Sequence, residues 1–391
     1  MRILHCSDIH LGRRPIGSPG SPYSVARYED YFKAFENIVN YALSGAVDLF
    51  LVSGDLFDRK DINPDTLART QQMLGRLKEA SIDVIAIEGN HDKCFNAGES
   101  WLLFLEKTGY LKLLAPFHDG RRYSFPCVET GGVRLFGLGY PGFHVDELLS
   151  ELAERLEGRN NVVLVHSAPG KNDFIPGLAT PEKIEALGEK TLYVAGGHLH
   201  ARASFPSGEP FFHVPGSPEY WDVWESGEKG FNVFDTLTGE VEFHASSRRE
   251  RQEFACDVDE ELTVDRLNGF VEGLDIHAGS LVLLTVSVPG DCVLYPEKIE
   301  RRLEEMGALK SFLRVKRRDV PVSLEGFRSM GAREIEREVL TNSREWRELG
   351  AKGDSLVRLI DSLKQSQQEG RYEQFKETLD IFLEGLAGES S

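Results

Sequence analysis

Cysteine is scarce and scattered. The 391 residues include only Cys6, Cys94, Cys127, Cys256 and Cys292, an odd number with no C-x-x-C pair. That argues against a disulfide framework or a thiolate zinc site, and a reducing compartment fits. No run of about 18 apolar residues occurs, so no membrane partner is expected. The opening MRILHCSDIHLG has an apolar run too short for a signal peptide, broken by His5 and Asp8, and a cytoplasmic protein is the expectation. Basic residues are in deficit, 45 Lys and Arg against 63 Asp and Glu, for a formal net charge of −18. Phosphate backbones attract basic faces, so this balance argues against tight nucleic-acid binding by the chain alone. A carboxylate cluster holding cations, or a basic partner, would soften the conflict. Internal repeats and long low-complexity tracts are also lacking.

Hydrophobic content of 41% supports a sizeable core. At roughly 100–200 residues per domain, the length suggests two or three domains. Short apolar runs alternate with helical patterns through the first half. Strands are expected at Arg2–Cys6, Val47–Ser53, Asp83–Glu88, Asn161–His166 and Thr191–Ala195, with helices at Arg27–Ser44 and Pro64–Glu79. This β-α-β rhythm buries strands between helices. Short strands take over at Phe205–Val214 and Phe231–Phe243, with hairpin turns at Gly208–Glu209 and Thr238–Gly239. A mixed α/β domain thus covers 1–245. The polar, basic run Ser246–Phe254 reads as a linker. A β-α-β-α-β pattern follows over 252–320, with strands near Phe254–Val258, Leu281–Val288 and Phe312–Lys316 and helices near Leu262–Gly273 and Pro296–Met306. The pattern over 330–391 is helical only, with apolar stripes at Leu356–Leu363 and Phe375–Leu386.

Five short motifs sit where an expected strand gives way to a loop: Asp8-x-His10, Gly54-Asp55, Gly89-Asn90-His91-Asp92, His166-Ser167 and Gly197-His198-x-His200. The C-terminal edge of an α/β sheet is where ligands usually bind. Two divalent ions about 3.5–4 Å apart need hard carboxylates, one of them bridging, plus imidazoles. The motifs supply two carboxylates, one amide oxygen and four imidazoles, with His91 left over. In Asp8-x-His10 both side chains would lie on one side of an extended segment and grip one ion. His198-x-His200 could do the same, or a turn could point the two at separate ions. Each of the first four motifs alone is more often a turn, a cap or a surface pair, whereas Gly197-His198-x-His200 alone is about as often a metal site as not. All five in this order make a chance origin improbable.

That order is similar to the calcineurin-like metallophosphoesterase superfamily. Within it the chain resembles the SbcD-type DNA double-strand-break repair nucleases, through ILHCSDIHLG, VSGDLFDRK, EGNHD, AGGHLHA, VPGSPEYW and EKGFNVFD. The resemblance covers about the first 245 residues and extends beyond them by layout. It implies a β-sandwich flanked by helices, then a small α+β capping domain and a helical tail. Asp8, His10 and His200 would bind one metal, Asn90, His166 and His198 the other, and Asp55 would bridge. His91 would face the scissile phosphate, and Asp92 would orient it by accepting from its other ring nitrogen. The implied metal is manganese. Two positions depart from the pattern. Asp58 stands where some relatives carry histidine, and Glu219-Tyr220-Trp221 where an arginine is usual.

The resemblance implies a manganese-dependent DNA exo/endonuclease of an SbcCD-like complex. The C-terminal helices would dock on an SbcC-like coiled-coil ATPase, and a homodimer is possible. Arg314, Lys316, Arg317 and Arg318 are candidates for phosphate contact. Trp221 and Trp224 are candidates for base stacking, the alternative being half-buried packing. Two other functions compete with the nuclease. One is a phosphoesterase of the same fold acting on a nucleotide or phosphoprotein, favoured by the acidity. The other is a non-catalytic scaffold, which intact ligands argue against.

Overall fold

The computed structural model describes residues 1–15, 20–94, 100–118, 123–170, 175–258, 263–288, 294–317, 359–360 and 362. The chain divides into Met1–Lys316 and Arg317–Ser391. Arg318 and nearly all of 330–391, including both apolar stripes apart from Leu359, Ile360 and Ser362, lie outside the described residues.

The first stretch runs β1 (Arg2–Cys6), α1 (Pro22–Tyr41), β2 (Leu49–Ser53), α2 (Pro64–Glu79), β3 (Asp83–Ile87), α3 (Trp101–Lys107) and β4 (Lys112–Leu113). An antiparallel pair, β5 (Phe117–His118) and β6 (Tyr123–Ser124), precedes β7 (Cys127–Thr130), β8 (Val133–Gly137), α4 (Val145–Arg155) and β9 (Asn161–Leu164). The short β10 (Ala168–Pro169) and β11 (Leu178–Ala179) pair together. After them come α5 (Pro181–Gly188), β12 (Tyr193–Ala195), β13 (Ala203–Phe205), β14 (Phe212–Val214), β15 (Gly230–Asp235) and β16 (Val241–Ala245).

Two six-stranded sheets result, ordered β16-β15-β1-β2-β3-β4 and β13-β14-β12-β9-β8-β7. In the first, β1 to β4 are parallel; in the second, β8, β9, β12 and β14 are. Strand alternation makes each sheet two-faced. Ile3, Leu49, Leu51, Ile85 and Ile87 share one cluster with Leu135, Val162, Leu164, Tyr193 and Ala195 of the other sheet. The intervening Leu4, Phe50, Val52, Val84 and Ala86 join Phe32, Phe35 and Ile38 of α1 and Leu74 and Leu77 of α2. Val163 and Val194 join Leu149 and Leu152 of α4 and Ile184 of α5. The layering is therefore helix, sheet, sheet, helix.

Helix starts follow local chemistry. Ser21 accepts from the Ser24 amide ahead of Pro22, and Asn63 accepts from Thr66 ahead of Pro64. So α1 begins five residues before the apolar periodicity expected at Arg27. Both expected hairpins form, β13 with β14 and β15 with β16.

A third sheet, β17 (Arg251–Asp257), β18 (Leu281–Val288) and β19 (Lys310–Arg317), carries α6 (Thr263–Glu272) and α7 (Pro296–Glu305) around its own apolar cluster. The run before it is no free linker. The Arg249 guanidinium donates twice to Asp30, at 2.6 and 2.7 Å, and its amide donates to Glu219 at 2.9 Å. Arg27 reaches the same two carboxylates at 2.8 and 3.3 Å. A run that reads as solvated by composition meets buried carboxylates 30 and 219 residues away in sequence, which local pattern does not reveal. Among the described residues, no helix is long and apolar enough to cross a membrane.

Candidate metal centre

Loops after β1, β2, β3, β9 and β12 converge. Asp8, His10, Asp55 and His166 are buried, and Asn90, His91, His198 and His200 partly so. Four of these residues take positive φ: Asp8 (53°), His10 (52°), Asp55 (53°) and His198 (77°). Left-handed backbone costs a non-glycine residue of order 1–3 kcal/mol and persists where the surroundings over-determine it. This corrects the extended reading of Asp8-x-His10. β1 stops at Cys6, and two left-handed residues bring the side chains together. Glycine serves the same end at position 89, where a Cβ would stand 2.0 Å from Asp55 Oδ1.

The histidines divide into two sets. His10 Nε2 and His200 Nε2 face each other at 3.1 Å, in a group with Asp8. His166 Nε2 and His198 Nδ1 converge on Asn90 Oδ1 at 3.1 and 3.0 Å. Asp55 Oδ2 lies 3.2 Å from His166 Nε2 and 3.9 Å from His10 Nε2, between the sets. The turn at His198 sends the two histidines of His198-x-His200 to different sets, the second of the two geometries that spacing allowed.

Outer contacts fix which ring nitrogen looks inward. His166 Nδ1 donates to the Ser53 carbonyl at 2.8 Å, and His198 Nε2 to the Pro176 carbonyl at 2.9 Å. His200 Nδ1 donates to Glu225 Oε1 at 2.7 Å, whereas His10 Nδ1 only faces Asp58 Oδ1 at 3.5 Å, without a hydrogen bond. The inward atoms are thus imidazole nitrogens, carboxylate oxygens and an amide oxygen, which carry lone pairs once His166 gives up the proton it holds toward Asp55. Asp8 accepts from the His198 amide at 3.1 Å through Oδ1, while its buried Oδ2 has no partner. Lone pairs converging with an orphaned carboxylate oxygen suit cations, and mixed oxygen and nitrogen donors suit divalent ones. The residues present fit two.

The titration pattern follows from this crowding. Burial raises the Asp8 carboxyl above the usual range, although His166 and His200 pull the other way. Burial would also raise Asp55, but the charge and hydrogen bond of His166 outweigh it and hold Asp55 well below that range. Burial would lower His166, but the Asp55 charge and hydrogen bond hold it up at about 9. Burial lowers His198 to about 4.

Asp92 does not orient His91. The His91 Nδ1 donates to the Asp58 carbonyl at 2.7 Å. The Asp92 carboxylate instead accepts the amides of Leu56, Phe57 and Gly89 at 3.2, 3.0 and 3.0 Å, tying the β2 and β3 loops together. Its burial, then the nearby Asp55 charge, push its carboxyl up to about 7. The sequence placed a carboxylate beside an imidazole, but three backbone amides outcompete one ring nitrogen.

Glu225 was not legible as part of the site. It lies 25 residues from His200 in a loop without a motif, and only the fold joins them. Asp58, a departure from the family pattern, still touches the site. It accepts from Arg13 at 3.1 Å and from the Trp221 indole at 3.2 Å. The Arg13 guanidinium lies 3.6 Å over the Trp221 ring, and Arg314 lies 3.9 Å over Trp224. Each indole thus has a guanidinium on one face, which favours the packing alternative over base stacking there.

The signature of the family described as calcineurin-like phosphoesterase matches residues 1–202. The chain is similar to proteins named DNA double-strand break repair protein Mre11. It is 31% identical to that of Methanosarcina mazei over 318 residues, covering 79% of this chain and 49% of that one. Against that of Archaeoglobus fulgidus the figures are 34% over 243 residues, 58% and 52%, and against that of Haloferax volcanii 28% over 329 residues, 81% and 68%. The chain spans about half the length of the first of these relatives. A solved glutamine-dependent NAD+ synthetase of Acinetobacter baumannii aligns at 10% identity and a TM-score of 0.30, covering 94% of this chain and 72% of that one.

Proposed function

The chain belongs to the calcineurin-like phosphoesterase family, and on that premise we propose that it hydrolyses phosphodiester bonds of DNA with two divalent ions. The observation that carries the hydrolase part is the convergence of lone pairs around Asp55, with the Asp8 carboxylate oxygen left unsatisfied. Asp8, His10 and His200 would hold one ion, Asn90, His166 and His198 the other, and Asp55 both. When bound, such a pair supplies Lewis-acid polarisation of a phosphoryl oxygen and offsets developing negative charge. Manganese is the ion proposed.

The chain's own residues do the rest. His91 has its Nδ1 on a backbone carbonyl, so Nε2 is left to hold or deliver a proton at the leaving oxygen. Asp92 holds the two ligand loops in register and acts on His91 only through that backbone. DNA as substrate is supported by the relatives, which are named as DNA double-strand break repair proteins, and by the strand-rich unit after the catalytic domain, which we propose caps the site over 252–320. The net charge of −18 favours a partner that helps hold the duplex. An SbcC-like coiled-coil ATPase docking on helices within 330–391 fits that need, and a homodimer through the catalytic domain is compatible with it.

The same acidity favours a second substrate class, a nucleotide or phosphoprotein, and one experiment separates the two. Linear and hairpin DNA are incubated with manganese and the wild type, His91→Ala or Asp55→Ala chain. Cleavage by the wild type, with a loss of about 10²–10⁴-fold for His91→Ala, supports the nuclease. Intact DNA alongside hydrolysis of a small phosphodiester gives the second class. Metal binding with neither reaction leaves a scaffold.

A further inference from the structure

We propose that Glu225 is the positioning residue that fixes the His200 tautomer and so completes one of the two cation sites, an inference that rests on the metal reading above. Glu225 is hydrogen-bonded through both oxygens. Oε1 takes the His200 Nδ1 proton at 2.7 Å, while Oε2 takes Lys229 Nζ at 2.6 Å and the Trp221 amide at 3.2 Å. Lys229 is fully buried and also donates to the His200 carbonyl at 2.9 Å and Ser217 Oγ at 3.0 Å, so the ammonium cannot swing away cheaply. The backbone at 223–225 is held as well, because Arg251 donates to the carbonyls of Val223 and Glu225.

The tautomer follows from counting donors. Lys229 and the Trp221 amide can only donate, so whatever atom meets them must accept. An ionised carboxylate has a second accepting oxygen to spare for His200 Nδ1–H. The proton then sits on Nδ1, and the Nε2 lone pair points at His10 Nε2 and the inward cluster. The two histidines of the other set lean on neutral backbone carbonyls, of Ser53 and Pro176. A carboxylate behind an imidazole both orients it and makes the ring a better ligand, and losing such a partner typically costs 10–100-fold in metal affinity.

Glutamine at this position cannot satisfy both sides. Its single oxygen must meet Lys229 and Trp221, which turns the amide NH2 toward His200 Nδ1. That nitrogen must then accept, and the proton moves to Nε2, into the cation site. The near-isosteric Glu225→Gln should therefore be no milder than Glu225→Ala, which leaves Nδ1 to water. A merely structural role would rank them the other way.

The test is a manganese titration of the full chain by calorimetry and electron paramagnetic resonance, with thermal melts in EDTA to confirm folding. The wild type is expected to bind two ions. Glu225→Gln is expected to bind one as before and the other about 10–100-fold more weakly. Two ions bound with wild-type affinity by Glu225→Gln would overturn the proposal and leave the metal reading intact. No ions bound by the wild type would overturn the metal reading itself. Long-range ¹H–¹⁵N spectra of histidine-labelled, metal-free wild type give a readout independent of any variant. His200 protonated on Nδ1 supports the proposal, and His200 protonated on Nε2 refutes it even if the variants fail to fold.

Discussion

Asp8→Asn should make the metal-free protein more stable and the metal-loaded protein less stable than the wild type. Asp8 is fully buried, with one oxygen unsatisfied, and burial outweighs the attraction of His166 and His200 in raising its carboxyl. An unsatisfied buried polar atom costs about 1–3 kcal/mol, more when charged. Asparagine removes the charge, keeps an oxygen for the His198 amide and tolerates the φ of 53° at this position better than most residues. Offsetting the lost attraction to His166, a net gain of about 1–2 kcal/mol is expected. For a large domain that corresponds to a rise of about 2–8 °C in Tm. With manganese at about 100 times Kd, the wild type gains about 2.7 kcal/mol by mass action. The variant lacks a charged ligand and gains far less, so the order reverses. The assay is differential scanning fluorimetry in EDTA and in a manganese series. A variant that melts below the wild type in EDTA, or rises equally with manganese, would refute the reasoning.

Asp92→Leu removes the acceptor for three backbone amides and should cost about 3 kcal/mol or more in urea unfolding; an unchanged midpoint would show that those amides find other partners. Gly89→Ala would drive a methyl group against Asp55 at 2.0 Å, so loss of tight manganese binding is expected, checked by calorimetry. Arg249→Ala strips Asp30 of a bidentate partner but leaves it Arg27, and should lower stability by about 1.5–3 kcal/mol, read from chemical denaturation.

Much of the fold was legible because its signals are local. The buried runs at Leu49–Ser53 and Leu281–Val288 and the capped helix at Pro64–Glu79 fall where pattern and start signals place them. The candidate ligands come together for a related reason: parallel strands end on one edge, so short motifs at strand ends meet there. What was not legible depends on distance in sequence. Glu225 meets His200, and Arg249 meets Asp30, only once two sheets and a helix have packed. The expected contact of Asp92 with His91 does not form, because adjacency in sequence cannot weigh three backbone amides against one ring nitrogen. The left-handed turns at Asp8, His10, Asp55 and His198 were also invisible, since no intrinsic preference of those residues signals them strongly.

The contact of Arg249 with Asp30 and Glu219 bears on how the chain is made. Both sheets are complete in sequence by Ala245, and a molecule emerging from the ribosome could pair all twelve of their strands by then. Among the described residues, Arg27 alone would at that moment lie between Asp30 and Glu219. The second guanidinium arrives four residues later, already part of the segment that opens the next sheet. The unit that carries the candidate site therefore finishes its interior with a residue beyond its last strand, and the stretch that matures during synthesis is longer than pattern alone would delimit.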